Sequence, residues 1–180
     1  MKIRNLLIAM AAASTVILSS VTLPGCAALG LQQPGAAAKL SPTQGNKATG
    51  TVTFTQHGDK VVVDADITGL APGEHGFHIH EKGDCSAPDG TSAGGHFNPN
   101  GQPHGDPAQP HHHFGDMPML TADAGGHAKL HVELTSITLQ EGAGNIIGKS
   151  VIVHQKADDY QTQPTGNSGG RVACGVIAAK

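Results

Sequence analysis

The chain has 180 residues, 38% of them hydrophobic, with one Tyr, no Trp, 12 His and a formal net charge of −3. That length suits one single-core domain with room for short extra segments. No basic run with interleaved aromatics supports nucleic-acid binding, and no apolar stretch has the length and flanks of a spanning helix.

Residues 1–25 open with Lys2 and Arg4, continue through an apolar run from Leu6 to Leu18 and reach Leu23-Pro24-Gly25-Cys26. This is the pattern of a signal peptide. Leu-x-Gly-Cys resembles a bacterial lipoprotein processing site, with Cys26 as the lipidated first mature residue. Of the 11 basic residues, Lys2 and Arg4 leave with the signal, so 9 remain against 14 acidic ones, a net charge of −5. The Ala, Gly, Gln, Pro, Ser and Thr of residues 27–46 lack apolar periodicity and predict a flexible tether behind Cys26. The folded domain is expected over residues 47–180.

That domain reads as strands. His57-Gly58-Asp59 is a hairpin turn signal. From Val61 to Thr68 the sequence alternates, with Val63, Ala65 and Ile67 on one face and Asp64, Asp66 and Thr68 on the other. Gly76-Phe77-His78-Ile79-His80 alternates apolar residues with histidine, so on a strand both imidazoles share a face, roughly 6.6–7 Å apart along it. Between Lys82 and Gly126 Gly and Pro are frequent and no periodicity is sustained, the mark of a long loop that is either disordered or functional. Within it stand His96, His104, the run His111-His112-His113, and Asp116. Three imidazoles and a carboxylate suit tetrahedral Zn²⁺, and such a site offsets the entropy of ordering the loop. Spacing does not single out His113 from its two neighbours. Ala128, Leu130, Val132 and Leu134 then alternate with His127, Lys129, His131 and Glu133, a core face and a wet face. His57 and His75 fall in turns and receive no metal role. Val151-Ile152-Val153-His154 adds one more candidate ligand on a strand. No stretch has helical period, so the pattern predicts an antiparallel β-sandwich closed toward a barrel, with long loops carrying the chemistry.

Five stretches together resemble copper/zinc superoxide dismutases. They are Gly76-Phe77-His78-Ile79-His80-Glu81, Gly94-Gly95-His96-Phe97-Asn98-Pro99, His113-Phe114-Gly115-Asp116, Val151 to Asp159, and Gly166 to Ile177. The match runs from about Lys47 to Lys180 with every motif in order. It implies an all-β Greek-key sandwich, a flattened eight-stranded antiparallel barrel. It implies copper on His78, His80, His96 and His154, and zinc on His96, His104, His113 and Asp116, with His96 shared. Arg171 matches the arginine that attracts the anion and Thr165 the residue opposite it at the channel mouth. Asp158 matches the carboxylate that orients ligands of both metals.

Cys85 and Cys174 match the disulfide of that family, and an exported chain keeps such a bond. The implied activity is dismutation of superoxide to O₂ and H₂O₂ by a redox-cycling copper beside a structural zinc, with His96 also handling a proton. The implied partners are the superoxide anion, no nucleic acid, and a membrane only through the lipid on Cys26. The chain would act as a monomer or homodimer in the periplasm, anchored to the outer or cytoplasmic membrane. The rival expectation is a catalytically inactive periplasmic lipoprotein that buffers or delivers copper or zinc.

Overall fold

The computed structural model describes residues 33–180; the basic start, the apolar run and Cys26 lie outside the described residues. The described chain is built from nine strands: β1 Gly35–Pro42, β2 Thr49–His57, β3 Lys60–Thr68, β4 Gly73–His75, β5 Phe77–His80, β6 Leu120–Ala122, β7 Ala128–Leu134, β8 Ser150–His154 and β9 Arg171–Ala179. Among the described residues there is no α-helix, only a 3₁₀ turn over Thr91–Ala93.

Seven strands form one antiparallel sheet in the order β5-β8-β9-β1-β2-β3-β7, and β4 pairs with β6 in a short ladder. Only Gly76 separates β4 from β5, so the nine strands make eight passages. Asp123 N–H donates to the His127 carbonyl across the β6–β7 turn (2.9 Å). The sheet thereby curls round on itself as a flattened barrel, in keeping with the expected class. The connections β3 to β4 and β7 to β8 both cross from one end of the sheet order to the other, which is the Greek-key pattern.

The alternating segments fold as their patterns dictate. In β3 Val61, Val63, Ala65 and Ile67 are buried while Asp64 and Asp66 are exposed. They pack with Phe54, Phe77, Ile79, Leu120 and Ile146 into one core, where each large side chain contributes about 1.5–3 kcal/mol on burial. His57 pairs with Lys60, leaving Gly58-Asp59 as a two-residue turn with Gly58 at φ 61°.

Two expectations are corrected. Residues 35–42 lie inside the stretch read as tether, yet they form β1, paired to β2 on one side and β9 on the other. Ala36, Ala38 and Leu40 are buried on its inner face. Alanine and glycine have low strand propensity, so this strand is held by its two ladders and not by local preference. The domain therefore begins by Gly35, not at residue 47. Likewise His75 is not a turn residue: it ends β4 and is buried.

The long loop is ordered by backbone pairing. Its two arms cover the outer edge of β5, with Phe97 N–H donating to the Ile79 carbonyl (2.8 Å) and Ile79 N–H to that of Gly115 (2.9 Å). Gly115 N–H in turn donates to the Phe97 carbonyl (2.8 Å). A disulfide joins Cys85 to Cys174, 89 residues apart, worth about 4–5 kcal/mol in the chain-entropy model. It ties the loop to the strand that carries Arg171.

Candidate metal centre

β5 places His78 and His80 on one face, as the alternation requires. That face is not half-exposed: both residues are 0% accessible, because the long loop lies over them. His154 arrives from the end of β8, the strand paired with β5, and His96 from the loop segment bridged to His80. The ligand atoms of these four lie within 4.8 Å of one another.

Their remaining hydrogen bonds fix which nitrogens converge. His78 Nε2 donates to Asp158 Oδ2 (2.6 Å), His80 Nδ1 to the Gly94 carbonyl (2.9 Å) and His154 Nδ1 to that of Gly169 (3.3 Å). The opposite nitrogens, His78 Nδ1, His80 Nε2 and His154 Nε2, are buried without a hydrogen-bond partner, and so is His96 Nε2. Each such orphan costs roughly 1–3 kcal/mol. Burial also keeps the rings neutral: it holds His78 low and His80 well below the usual histidine range, His96 at about 4 and His154 at about 3. Four neutral imidazoles with free lone pairs aimed at one point fit a soft-to-borderline cation such as copper.

A second group lies beside the first. His96 Nδ1, His104 Nδ1 and His113 Nδ1 stand 2.9, 3.1 and 3.4 Å from Asp116 Oδ1, and His113 Nδ1 is 3.4 Å from His96 Nδ1. Ligands about 2.0–2.1 Å from a tetrahedral zinc stand roughly 3.3 Å from each other, so these spacings fit that ion. Asp116 Oδ2 is occupied by the backbone N–H of Gly105 (3.1 Å) and His113 (2.9 Å), leaving Oδ1 for the cluster. The pocket calls for positive charge. Burial would lower His104, but hydrogen bonds to Asp116 and Asp158 push it up to about 9. Burial would likewise raise Asp116, yet its imidazole partners hold it far below the usual carboxylate range. His96 is common to both groups, one ring nitrogen in each.

Asp158 ties the groups together. It is buried, and accepts from His78 Nε2 through Oδ2 and from His104 Nε2 (2.9 Å) and Tyr160 N–H (2.7 Å) through Oδ1. Gly166, at φ 65°, passes so close that a Cβ there would overlap the Asp158 carboxylate and the His104 ring. Glycine is required at that point on both counts.

Arg171 opens β9 opposite His154 and is half-buried. Its guanidinium donates to the carbonyls of Gly90 and Gly94 (2.6 Å each). Burial lowers its basicity and the nearby Asp89 opposes that. Thr165 is half-exposed in the loop after Asp158, and its carbonyl accepts from Ser168 Oγ (2.9 Å).

Of the triple-histidine run, His113 alone joins the cluster. His111 is exposed and hydrogen-bonded to Gln102, and His112 is half-exposed with Nδ1 on the His113 carbonyl. His127 and His131 pair with Asp66 and Asp64 on the outer face. Three supports escape a reading of the sequence. His75 has its ring nitrogens 2.7 Å from the His154 carbonyl and 2.8 Å from that of Ala71. Met119 Sδ accepts from Asp158 N–H (3.2 Å), and Gln163 holds the backbone of His104. None carries a local signal, because each acts on the backbone of a residue distant in sequence.

The chain is 38% identical over 170 residues to the superoxide dismutase (Cu-Zn) of Deinococcus radiodurans, spanning 88% of this chain and 91% of that protein. It is 42% identical over 135 residues to the extracellular superoxide dismutase (Cu-Zn) of Caenorhabditis elegans, spanning 71% and 60% respectively. Among solved structures it is similar to that of the clock protein EA4, with a TM-score of 0.74 and 43% identity over 82% of this chain and 95% of that one. Residues 48–177 match the family described as copper/zinc superoxide dismutase (SODC), and with that match the chain belongs to this family.

Proposed function

We propose that the chain dismutates superoxide to O₂ and H₂O₂, with copper held by His78, His80, His96 and His154 and zinc by His96, His104, His113 and Asp116. The observation that carries the reading is the convergence of four buried, unpartnered imidazole nitrogens next to a carboxylate-centred trio that shares His96. When bound, copper supplies the alternate one-electron oxidation and reduction of superoxide, while zinc, which has no redox chemistry, holds the loop.

The chain's own residues do the rest. Asp158 fixes the rings of His78 and His104 through their outward nitrogens, which sets the tautomer each presents inward. His96 Nε2 is the atom placed to hold a proton and hand it to the reduced product. Arg171 presents a fixed positive charge, its guanidinium aimed by two backbone carbonyls, and the family resemblance assigns Thr165 to the channel mouth with it. The expected mature charge of −5 repels an anion overall, so the local field at Arg171 has to prevail. A buffering protein needs the ligands but has no use for an anchored arginine beside them, and so Arg171 favours the enzyme over metal delivery.

Ligand variants test the assignment. His80→Ala should lose copper and activity yet keep zinc, and His113→Ala should lose zinc first. Equal loss of both metals from either variant would contradict two separable sites.

We place the enzyme outside the cytoplasm, anchored through lipid on Cys26, a reading supported by the Lys2/Arg4 start, the apolar run and Leu23-x-Gly25-Cys26. Two or more acyl chains suffice to hold a soluble domain. With β1 starting at Gly35, the tether shrinks to residues 27–34. Fractionation checks it: Cys26→Ser should free the domain from the membrane fraction, and a wild-type protein with no lipid at Cys26 would refute the anchor.

A further inference from the structure

We propose that Gln163 is a positioning residue for the zinc group, acting as a two-point clamp on the main chain of His104. The inference rests on zinc occupying the His96, His104, His113 and Asp116 group.

Gln163 Oε1 accepts from His104 N–H at 2.9 Å, and Gln163 Nε2 donates to the His104 carbonyl, also at 2.9 Å. One side-chain amide thus satisfies both polar groups of a single residue, as a neighbouring strand would. The orientation of the amide follows from the partners, since an N–H needs an acceptor and a carbonyl needs a donor. The second hydrogen of Nε2 goes to the Gln161 carbonyl (3.2 Å), so the amide is fixed at three points.

The clamp matters because of where His104 lies. The loop that bears it has few strand pairings, and the sequence from Asn98 to His112 contributes no named strand or helix. The His104 ring is held at both ends, Nδ1 by Asp116 (3.1 Å) and Nε2 by Asp158 (2.9 Å). Nothing in that pair fixes the distance of its Cα from the cluster. Gln163 holds His104 by its own N–H and carbonyl, with the Gly105 N–H bond to Asp116 Oδ2 (3.1 Å) as the neighbouring support, and Gln163 comes from the loop that also supplies Asp158 and Thr165, 59 residues from His104. Zinc retention and the placement of that loop are therefore joined twice, through the Asp158 carboxylate on the His104 ring and through the Gln163 amide on its main chain. Partners of this kind, one step removed from the ion, typically change metal affinity 10–100-fold when lost.

The test is zinc release from the copper- and zinc-loaded protein into a chromogenic chelator, for wild type, Gln163→Ala, Gln163→Glu and Gln161→Ala. Zinc content measured before chelation establishes the starting state. Gln163→Ala should release zinc about tenfold faster. Gln163→Glu keeps size and an acceptor for His104 N–H but sets an oxygen against the His104 carbonyl, so it should also release zinc faster even if fully folded. Gln161→Ala, whose exposed side chain touches neither metal group, should match wild type. Cobalt placed in the zinc group gives a direct view of ligand geometry, and its visible spectrum should shift in both Gln163 variants but not in Gln161→Ala. Release rates within twofold of wild type and an unchanged cobalt spectrum in both Gln163 variants would overturn the clamp while leaving the zinc assignment standing. Wild-type protein that takes up no zinc in this group would instead overturn the assignment and the clamp with it.

Discussion

At the scale of single residues, polar groups are assigned in pairs. Each histidine of the copper group uses one nitrogen to hold its position and leaves the other free; Asp116 likewise anchors Oδ2 on backbone N–H groups and turns Oδ1 to the cluster, while Asp158 uses both oxygens to hold ligand rings. Arg171 contacts two carbonyls and no ligand side chain directly; it shares the Gly94 carbonyl with His80 Nδ1, a bond that stays when the guanidinium is replaced. Arg171→Glu should leave copper and zinc content unchanged and lower the rate with superoxide by one to two orders of magnitude, about 10–100-fold on the scale of electrostatic steering. In wild type, raising the ionic strength should slow the reaction, and in the variant that dependence should vanish or reverse. Metal analysis alongside rate measurements at several salt concentrations decides it; an unaltered rate would strip Arg171 of its guiding role.

At the scale of elements, legibility tracks side-chain size. The faces of β3 and β7 are readable because Val, Ile and Leu alternate there with Asp, Lys and His. β1 is not, because Ala36, Ala37 and Ala38 give no contrast between faces, and its place is set by ladders to Thr51–Thr55 and to β9. The ligands themselves are readable as residues, and their roles come from the family resemblance. What spacing leaves open is which of His111, His112 and His113 faces inward, a choice made by the bond from His113 N–H to Asp116 and the turn it closes. The β1 correction has a direct consequence. Removing residues 27–33, which spares the Pro34 carbonyl that accepts from Gln56 N–H (2.9 Å), should leave folding stability unchanged, whereas removing 27–42 strips a strand from between β9 and β2. The second loss should rival the whole folding free energy of a domain, about 5–15 kcal/mol. Denaturant unfolding of the two truncations compares them, and equal stability would mean that β1 is dispensable.

At the scale of the whole molecule, the metal centre is also an acid-sensitive core. In metal-free protein His96 and His154 have folded pKa values of about 4 and about 3, below the ordinary 6.5. The unfolded chain therefore binds more protons than the folded one between pH 6.5 and 4, so stability falls as pH falls through that window. Each group contributes about 1.4 kcal/mol per pH unit at most. His104, raised to about 9, works the other way. Its stabilisation is complete below pH 6.5 and is lost as pH rises through about 9. Asp116 and Asp158, both held low, protect above about pH 4 and fail only below it. The unfolding free energy of chelated protein should be lower at pH 5 than at pH 7; stability that is flat or higher at pH 5 would contradict a core of neutral imidazoles.

The central proposal is a copper site on His78, His80, His96 and His154 that turns over superoxide. The most direct measurement is superoxide decay, followed spectroscopically, with protein whose copper and zinc are counted in the same sample. The rate should be proportional to bound copper, saturating at one copper and one zinc per chain, with no catalysis by zinc-only protein. A chain that binds zinc in both groups, or that reaches one copper per chain and still leaves superoxide to decay at its spontaneous rate, would contradict it.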